Sequence, residues 1–84
     1  GLVDKVVPSN SFRGEVQKLA ETIRDNAPLG NRAVKKIVNM GLHLSIAEAQ
    51  ALSDTLRRQI EETEDAKEGV RAVLGNYKPK FVGR

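Results

Sequence analysis

With 84 residues, the chain is long enough for one small domain, which buries only about 60–65% of the surface that its unfolded form exposes. It carries 14 Lys and Arg against 11 Asp and Glu, and the two signs are interleaved along the sequence, a pattern typical of a solvated surface. The absence of Cys excludes disulfide frameworks, thiolate nucleophiles and zinc knuckles, and no apolar run approaches the roughly 20 residues of a membrane-spanning helix.

The N-terminal stretch "GLVDKVVP" is rich in β-branched residues and is stopped by Pro8, so it predicts one short strand or an extended lead-in. A single strand has no partner in this chain. After the cap-rich "SNS", apolar residues recur at helical spacing and predict an amphipathic helix over about residues 11–25. Its apolar face comprises Phe12, Val16, Leu19, Ala20 and Ile23.

Two further helices are predicted in the middle of the chain. Pro28 is well placed to open the first of them, because a proline in the first turn loses no needed hydrogen bond, and Gly41 is expected to fray its end. Ser45 followed by Glu48 predicts a reciprocal capping box at the start of the next helix. The apolar face of that helix comprises Ala49, Leu52, Leu56 and Ile60.

A fourth helix is predicted to begin near Thr63 or Asp65, where Asp65 and Glu68 are expected to form a similar box. Gly75 and Asn76 are its predicted C-terminal stop, and a basic tail follows. The sequence therefore predicts an all-α fold of three to four amphipathic helices with a short N-terminal extended segment.

No residue of the chain is predicted to be catalytic or to bind a metal. His43 is the only histidine, and a structural or surface role is expected for it, because geometry and pairing define a general base. Helix capping and solvation are expected to explain the acidic cluster of Glu61, Glu62, Glu64, Asp65 and Glu68.

Several short sequence motifs, spread over essentially the whole chain, together resemble those of a known protein family. The most specific is the closing series of Thr63-Glu64-Asp65, Glu68-Gly69, Ala72, Lys78-Pro79, Phe81 and Gly83-Arg84. "GLV" shortly before "VVP", and "APL" followed by Ala33 and Lys35-Lys36, support it. The chain resembles the C-terminal portion of the enoyl-CoA hydratase/isomerase, or crotonase, family. Members of that family are roughly three times longer, so the chain is expected to be only their last third.

The resemblance implies a parent enzyme that binds acyl-CoA thioesters and stabilises a thioester enolate with two backbone N–H groups. Hydratases of the family add water across the α,β double bond with a pair of glutamates, and hydration is the activity expected of the parent. Both devices belong to an N-terminal spiral domain that this sequence does not contain. Residues 1–84 are then the C-terminal helical oligomerisation region, which packs subunits into trimers or hexamers, covers an acyl-CoA site and binds no cofactor itself.

Family members use residues of the last helix and the tail to contact the adenine and phosphates of CoA. By resemblance, the apolar contact falls at Val73 and the basic contact at Asn76, and the chain departs from the family pattern at both, having neither an aromatic residue nor a lysine there. Lys78 and Lys80 lie nearby and are candidate phosphate partners.

Two other classes of function are left open by the residues. A free-standing helical interaction domain would have the same pattern of amphipathic helices. A nucleic-acid binder would suit the isoelectric point near 9.5, but one Tyr, two Phe and no dominant basic stripe argue against it. The partners expected from the resemblance are other copies of the protein and acyl-CoA, with no nucleic acid and no membrane. The expected location is the cytoplasm, or the mitochondrial matrix or peroxisome of a eukaryote.

Overall fold

The chain is described over all residues 1–84 by a computed structural model, which contains helices and no strand. A single 3₁₀ turn at Ser9–Ser11 leads into α1 (Phe12–Arg24), which is followed by α2 (Pro28–Gly41), α3 (Ile46–Glu61) and α4 (Glu64–Gly75). The predicted all-α fold is confirmed, and the starts of the four helices and the ends of α1, α2 and α4 lie within a residue or two of the predicted positions. None of them is long and apolar enough to cross a lipid bilayer.

The start of α3 follows directly from local chemistry. The Ser45 hydroxyl accepts the Glu48 N–H at 3.2 Å, and the Glu48 carboxylate accepts the Ser45 N–H at 2.8 Å. This confirms the predicted capping box, which satisfies two N–H groups that the helix leaves unpaired. The hydrogen bonds with Ser45 lower the pKa of Glu48.

The second predicted capping box, at the start of α4, does not form. Thr63 is the N-cap of α4, and its hydroxyl accepts the Ala66 N–H at 3.2 Å. The prediction that Asp65 and Glu68 form a capping box is wrong, because both carboxylates accept hydrogen bonds from the C-terminal tail instead. At the other end, Asn76 has a left-handed backbone with φ 51° and ψ 48°, a conformation that asparagine tolerates at helix ends.

The N-terminal segment before Pro8 has no regular secondary structure, so the predicted strand does not form and only the lead-in is present. A strand needs a neighbour to accept its backbone hydrogen bonds, and this chain offers none. Lys5 instead pairs with Glu15 on α1. Hydrogen bonds first from Lys5 and then from Lys18 lower the pKa of Glu15.

The helices enclose almost no core. Ala72 and Asp65 are the only buried residues, and α2 packs mainly against α3. The radius of gyration is 16.2 Å, whereas a compact chain of this length has one of about 12 Å. The apolar face of α1 is predominantly exposed, with Phe12 at 61% and Leu19 at 61% of their full exposure. The sequence predicted which residues form the apolar faces, but within the chain only those of α2 and α3 cover part of each other.

Candidate functional site

The C-terminal tail turns back at Asn76 and runs along α4 towards the start of that helix. The Tyr77 N–H donates to the Ala72 carbonyl at 3.0 Å, which closes the turn after the helix. At the far end, the Asp65 N–H donates to the Arg84 carbonyl at 2.9 Å. The tail therefore lies antiparallel to α4 over nearly its whole length.

Asp65 makes the principal contact between α4 and the tail. Its side chain is only 2% exposed, and its two carboxylate oxygens accept the N–H groups of Val82 at 2.7 Å and Gly83 at 2.8 Å. Gly83 has φ 84°, a left-handed backbone that suits glycine. The expectation that Asp65 serves only capping and solvation is wrong, because the tail covers it and supplies its hydrogen-bond donors.

Three further carboxylates contact the tail at the surface. Glu68 accepts the Lys80 N–H at 3.2 Å and the Tyr77 hydroxyl at 3.3 Å. Glu64 pairs with the Arg84 guanidinium at 3.0 Å. Burial, and then the neighbouring Glu68 charge, raise the pKa of Tyr77. The acidic first turns of α4 thus hold a basic tail in place.

The third of these surface carboxylates connects the tail to α1. The Lys78 ammonium lies 2.7 Å from the carboxylate of Asp25, the residue that caps the C-terminal end of α1, and Arg24 lies 2.9 Å from the same carboxylate. Hydrogen bonds first from Lys78 and then from Arg24 lower the pKa of Asp25. This is the one ion pair that joins α1 to the tail.

The lowered pKa predicts a pH-dependent effect of Lys78→Ala on stability. A carboxyl whose folded pKa is depressed stabilises the fold at pH values above its unfolded pKa of about 4, and this contribution is lost as the pH falls through the folded pKa. We expect Lys78→Ala to lower the urea unfolding midpoint slightly at pH 7, because both side chains are largely exposed to water. The difference should be smaller at about pH 3 than at pH 7, because protonation of Asp25 removes its attraction to Lys78.

The matched control for this measurement is Lys80→Ala, because the Lys80 ammonium has no carboxylate partner. It should leave the midpoint unchanged at both pH values. An effect of Lys78→Ala that is equally large at neutral and acidic pH would contradict the assignment of Asp25 as its partner.

The tail and α4 together form an open groove with a volume of about 670 Å³. It is lined by Gly69, Ala72, Val73, Asn76, Tyr77, Lys78, Pro79 and Phe81. A second groove of about 250 Å³ adjoins it, shares Lys78, Pro79 and Phe81, and adds Lys80 with Arg24 and Asp25. The structure therefore brings the predicted Val73, Asn76 and Lys78 together in one groove and places Lys80 beside it.

The chemistry of this groove suits an amphipathic ligand with negative charge. Val73 is 82% exposed and offers an apolar surface, as does the half-buried Phe81 on the opposite wall. Arg24, Lys78 and Lys80 supply three cations around the neighbouring groove against the single carboxylate of Asp25. Phe81 and Arg24 were missed by the sequence analysis, because their proximity depends on how the tail folds back.

Neither His43 nor any residue of the groove between α2 and α3 lines the groove beside the tail. His43 is exposed in the connection between α2 and α3, as expected. A shallow groove of about 220 Å³ between α2 and α3 is lined by Leu29, Leu56 and Ile60, with Arg32 and Lys36 at its edge. No three acidic or histidine side chains come close enough together to hold a metal ion.

Comparison with known proteins relates the whole chain to one family of enzymes. Residues 1–84 match the family model described as enoyl-CoA hydratase/isomerase. An enoyl-CoA isomerase/hydratase of Mycosarcoma maydis is 31% identical over 84 residues, and a crotonyl-CoA hydratase of Syntrophomonas wolfei is 32% identical over 84 residues. The match covers 100% of this chain but only 31% and 32% of those proteins, so the chain spans about a third of the length of these relatives.

The same relationship holds in three dimensions. The crystal structure of an enoyl-CoA hydratase/isomerase from Mycobacterium paratuberculosis superposes with a TM-score of 0.93 at 31% identity, covering 100% of this chain and 33% of that one. An enoyl-CoA hydratase structure from Mycobacterium tuberculosis gives a TM-score of 0.92 at 27% identity. On the match of its full length to the family model, the chain belongs to the enoyl-CoA hydratase/isomerase family.

Proposed function

We propose that this chain is the C-terminal helical segment of a longer enoyl-CoA hydratase, which we call the parent and which adds water to unsaturated acyl-CoA thioesters. The observation that carries the proposal is the match of the entire chain to about a third of relatives that include enzymes named enoyl-CoA or crotonyl-CoA hydratases. The residues that carry out hydration would lie in the part of the parent that precedes this segment. An isomerase activity is the nearest alternative within the family.

Within the parent, the first proposed role of the segment is subunit association. The exposed apolar faces of α1 and α4, including Phe12, Leu19, Val73 and Leu74, need a partner surface. A chain that buries a single apolar residue has too little core to support a free-standing domain. The exposed faces thus favour a segment that packs on the rest of the parent and on neighbouring subunits over an independent interaction domain.

The second proposed role is to contact the nucleotide end of an acyl-CoA. The groove between α4 and the tail offers the apolar Val73 to a base and the cations of Lys78 and Lys80 to phosphates. Lys78 is already paired with Asp25, whereas the Lys80 ammonium is free to bind an anion. We also propose that the parent works in the cytoplasm or, in a eukaryote, in the mitochondrial matrix or peroxisome.

The test of this proposal is the kinetics of crotonyl-CoA hydration by the parent carrying Lys78→Ala and Lys80→Ala together. We expect KM to rise by about threefold to tenfold with kcat nearly unchanged, because surface ion pairs contribute modestly and act on binding. Lys67→Ala on the exposed side of α4 is the matched control and should change neither constant. An unchanged KM in the double variant would contradict a CoA contact at this groove.

A further inference from the structure

The tail that forms one wall of the groove is held by four carboxylates of very unequal burial. The Glu64 side chain is 64% exposed, whereas those of Asp25 and Glu68 are partly buried, at 34% and 21% exposure. Asp65 is 2% exposed and accepts two backbone N–H groups at 2.7 and 2.8 Å. It is also the only charged side chain that is buried.

The difference in burial decides which contact fixes the tail. Exposed ion pairs compete with water and contribute little to stability. A buried carboxylate without donors is costly, whereas charge-assisted hydrogen bonds to it are short and strong. The Asp65 N–H adds a third bond, to the Arg84 carbonyl at 2.9 Å. The path of residues 82–84 is therefore set chiefly by Asp65.

Fixing the end of the tail also fixes the wall of the groove. Lys78, Pro79 and Phe81 lie between two fixed points, the turn at Asn76 and the hydrogen bonds to Asp65. Asp65 does not line either groove itself. If the side-chain bonds of Asp65 are lost, the tail beyond the turn is held by Glu68, by the Asp25 ion pair and by the exposed Arg84–Glu64 pair.

We infer that Asp65 is a positioning residue for acyl-CoA binding, which holds the tail so that Lys78 and Lys80 stand at the nucleotide-binding groove. This inference rests on the proposed function, because it assumes that the groove receives the nucleotide end of a CoA thioester. Asp65 acts through the tail and touches neither the substrate nor the reacting atoms. Its role is to make the binding contribution of the two lysines available.

The test compares two substrates of the parent, crotonyl-CoA and crotonyl-pantetheine, which carries the same reacting group without the nucleotide. In Asp65→Asn, the amide NH₂ replaces one acceptor and faces a backbone N–H, so one of the two side-chain hydrogen bonds to the tail is lost and the other is no longer charge-assisted. We expect KM for crotonyl-CoA to rise about tenfold with kcat retained, equivalent to the loss of one charge-assisted hydrogen bond. KM for crotonyl-pantetheine should not change.

A matched control and a second variant separate positioning from a folding defect. Asp54→Asn makes the same chemical change at a half-exposed position on α3 and should leave both KM values unchanged. Removal of residues 82–84 takes away both N–H donors, together with the contacts of Arg84 to Glu64 and to the Asp65 N–H, but keeps every residue that lines the groove in the chain. It should reproduce the effect of Asp65→Asn, and the two changes together should give no further increase.

The outcomes distinguish failure of the proposed nucleotide contact from failure of the positioning role of Asp65. If unmodified parent binds crotonyl-CoA no better than crotonyl-pantetheine, the proposed nucleotide contact is wrong and the positioning role falls with it. If the unmodified parent prefers crotonyl-CoA but Asp65→Asn and the shortened chain keep that preference, only the positioning role is wrong. If Asp65→Asn fails to fold, the shortened chain alone decides, through the same ratio of KM values.

Discussion

The isolated chain, purified without the rest of its parent, is expected to associate in solution as a helical homo-oligomer. Its faces on α1 and α4 expose large apolar side chains, of which Leu19 is at 61% and Leu74 at 83% of full exposure. Contiguous exposed apolar surface drives association because burial removes it from water. Residues 1–8, which have no regular structure, should be disordered or packed on a neighbouring copy. Sedimentation equilibrium over a wide concentration range measures this directly.

Charge placed on the apolar face of α1 should weaken that association. We expect Leu19→Glu together with Ile23→Glu to raise the dissociation constant at least about tenfold, because both side chains lie on the exposed apolar face. Arg13→Glu, at an exposed polar position of the same helix, is the control. A monomer at every concentration that unfolds cooperatively would contradict the prediction and favour an independent interaction domain.

Leu56→Asp in the parent is expected to be the most destabilising single substitution among those considered. Leu56 is half-buried on α3 and lies against α2, where Leu29 and Ala33 line the same shallow groove. Leu56→Asp removes this apolar contact and partly dehydrates a carboxylate, and Arg32 and Lys36 at the edge of the groove offset only part of the cost, which should be about 2–4 kcal/mol. Urea unfolding of the parent, followed by circular dichroism, measures the loss.

The control for this substitution is Gln50→Asp, which introduces the same side chain at an exposed position of α3. It should change the free energy of unfolding by less than about 0.5 kcal/mol. If Leu56→Asp has an effect no larger than that, α3 does not bury this face against α2.

The helix ends were predictable because the interactions that define them are local. Ser45 and Glu48 exchange hydrogen bonds across three residues, and Pro28 and Asn76 act through their own backbone preferences. The apolar faces were also predictable from periodicity. The partner surface that covers each apolar face could not be predicted, since the sequence of one segment carries no information about surfaces that lie outside it.

The anchoring of the tail could not be predicted from sequence spacing. Asp65 reaches Val82 and Gly83 across 17 and 18 residues, and Lys78 reaches Asp25 across 53. A carboxylate in the first turn of a helix ordinarily stabilises the helix dipole, and this local role was the one predicted. The residues Val73, Asn76, Lys78 and Lys80 came from a family resemblance, and the tail brings them to one region. Their binding of CoA stays a prediction.

We propose that this chain contributes CoA contacts and subunit contacts to a hydratase whose catalytic residues lie elsewhere in the parent. Hydration of crotonyl-CoA, measured for the purified parent and for the isolated chain at matched concentrations, tests it most directly. We expect turnover by the parent and none by the isolated chain. Turnover by the isolated chain that scales with its concentration and survives repurification would contradict this proposal, as would a correctly folded parent with no hydratase activity.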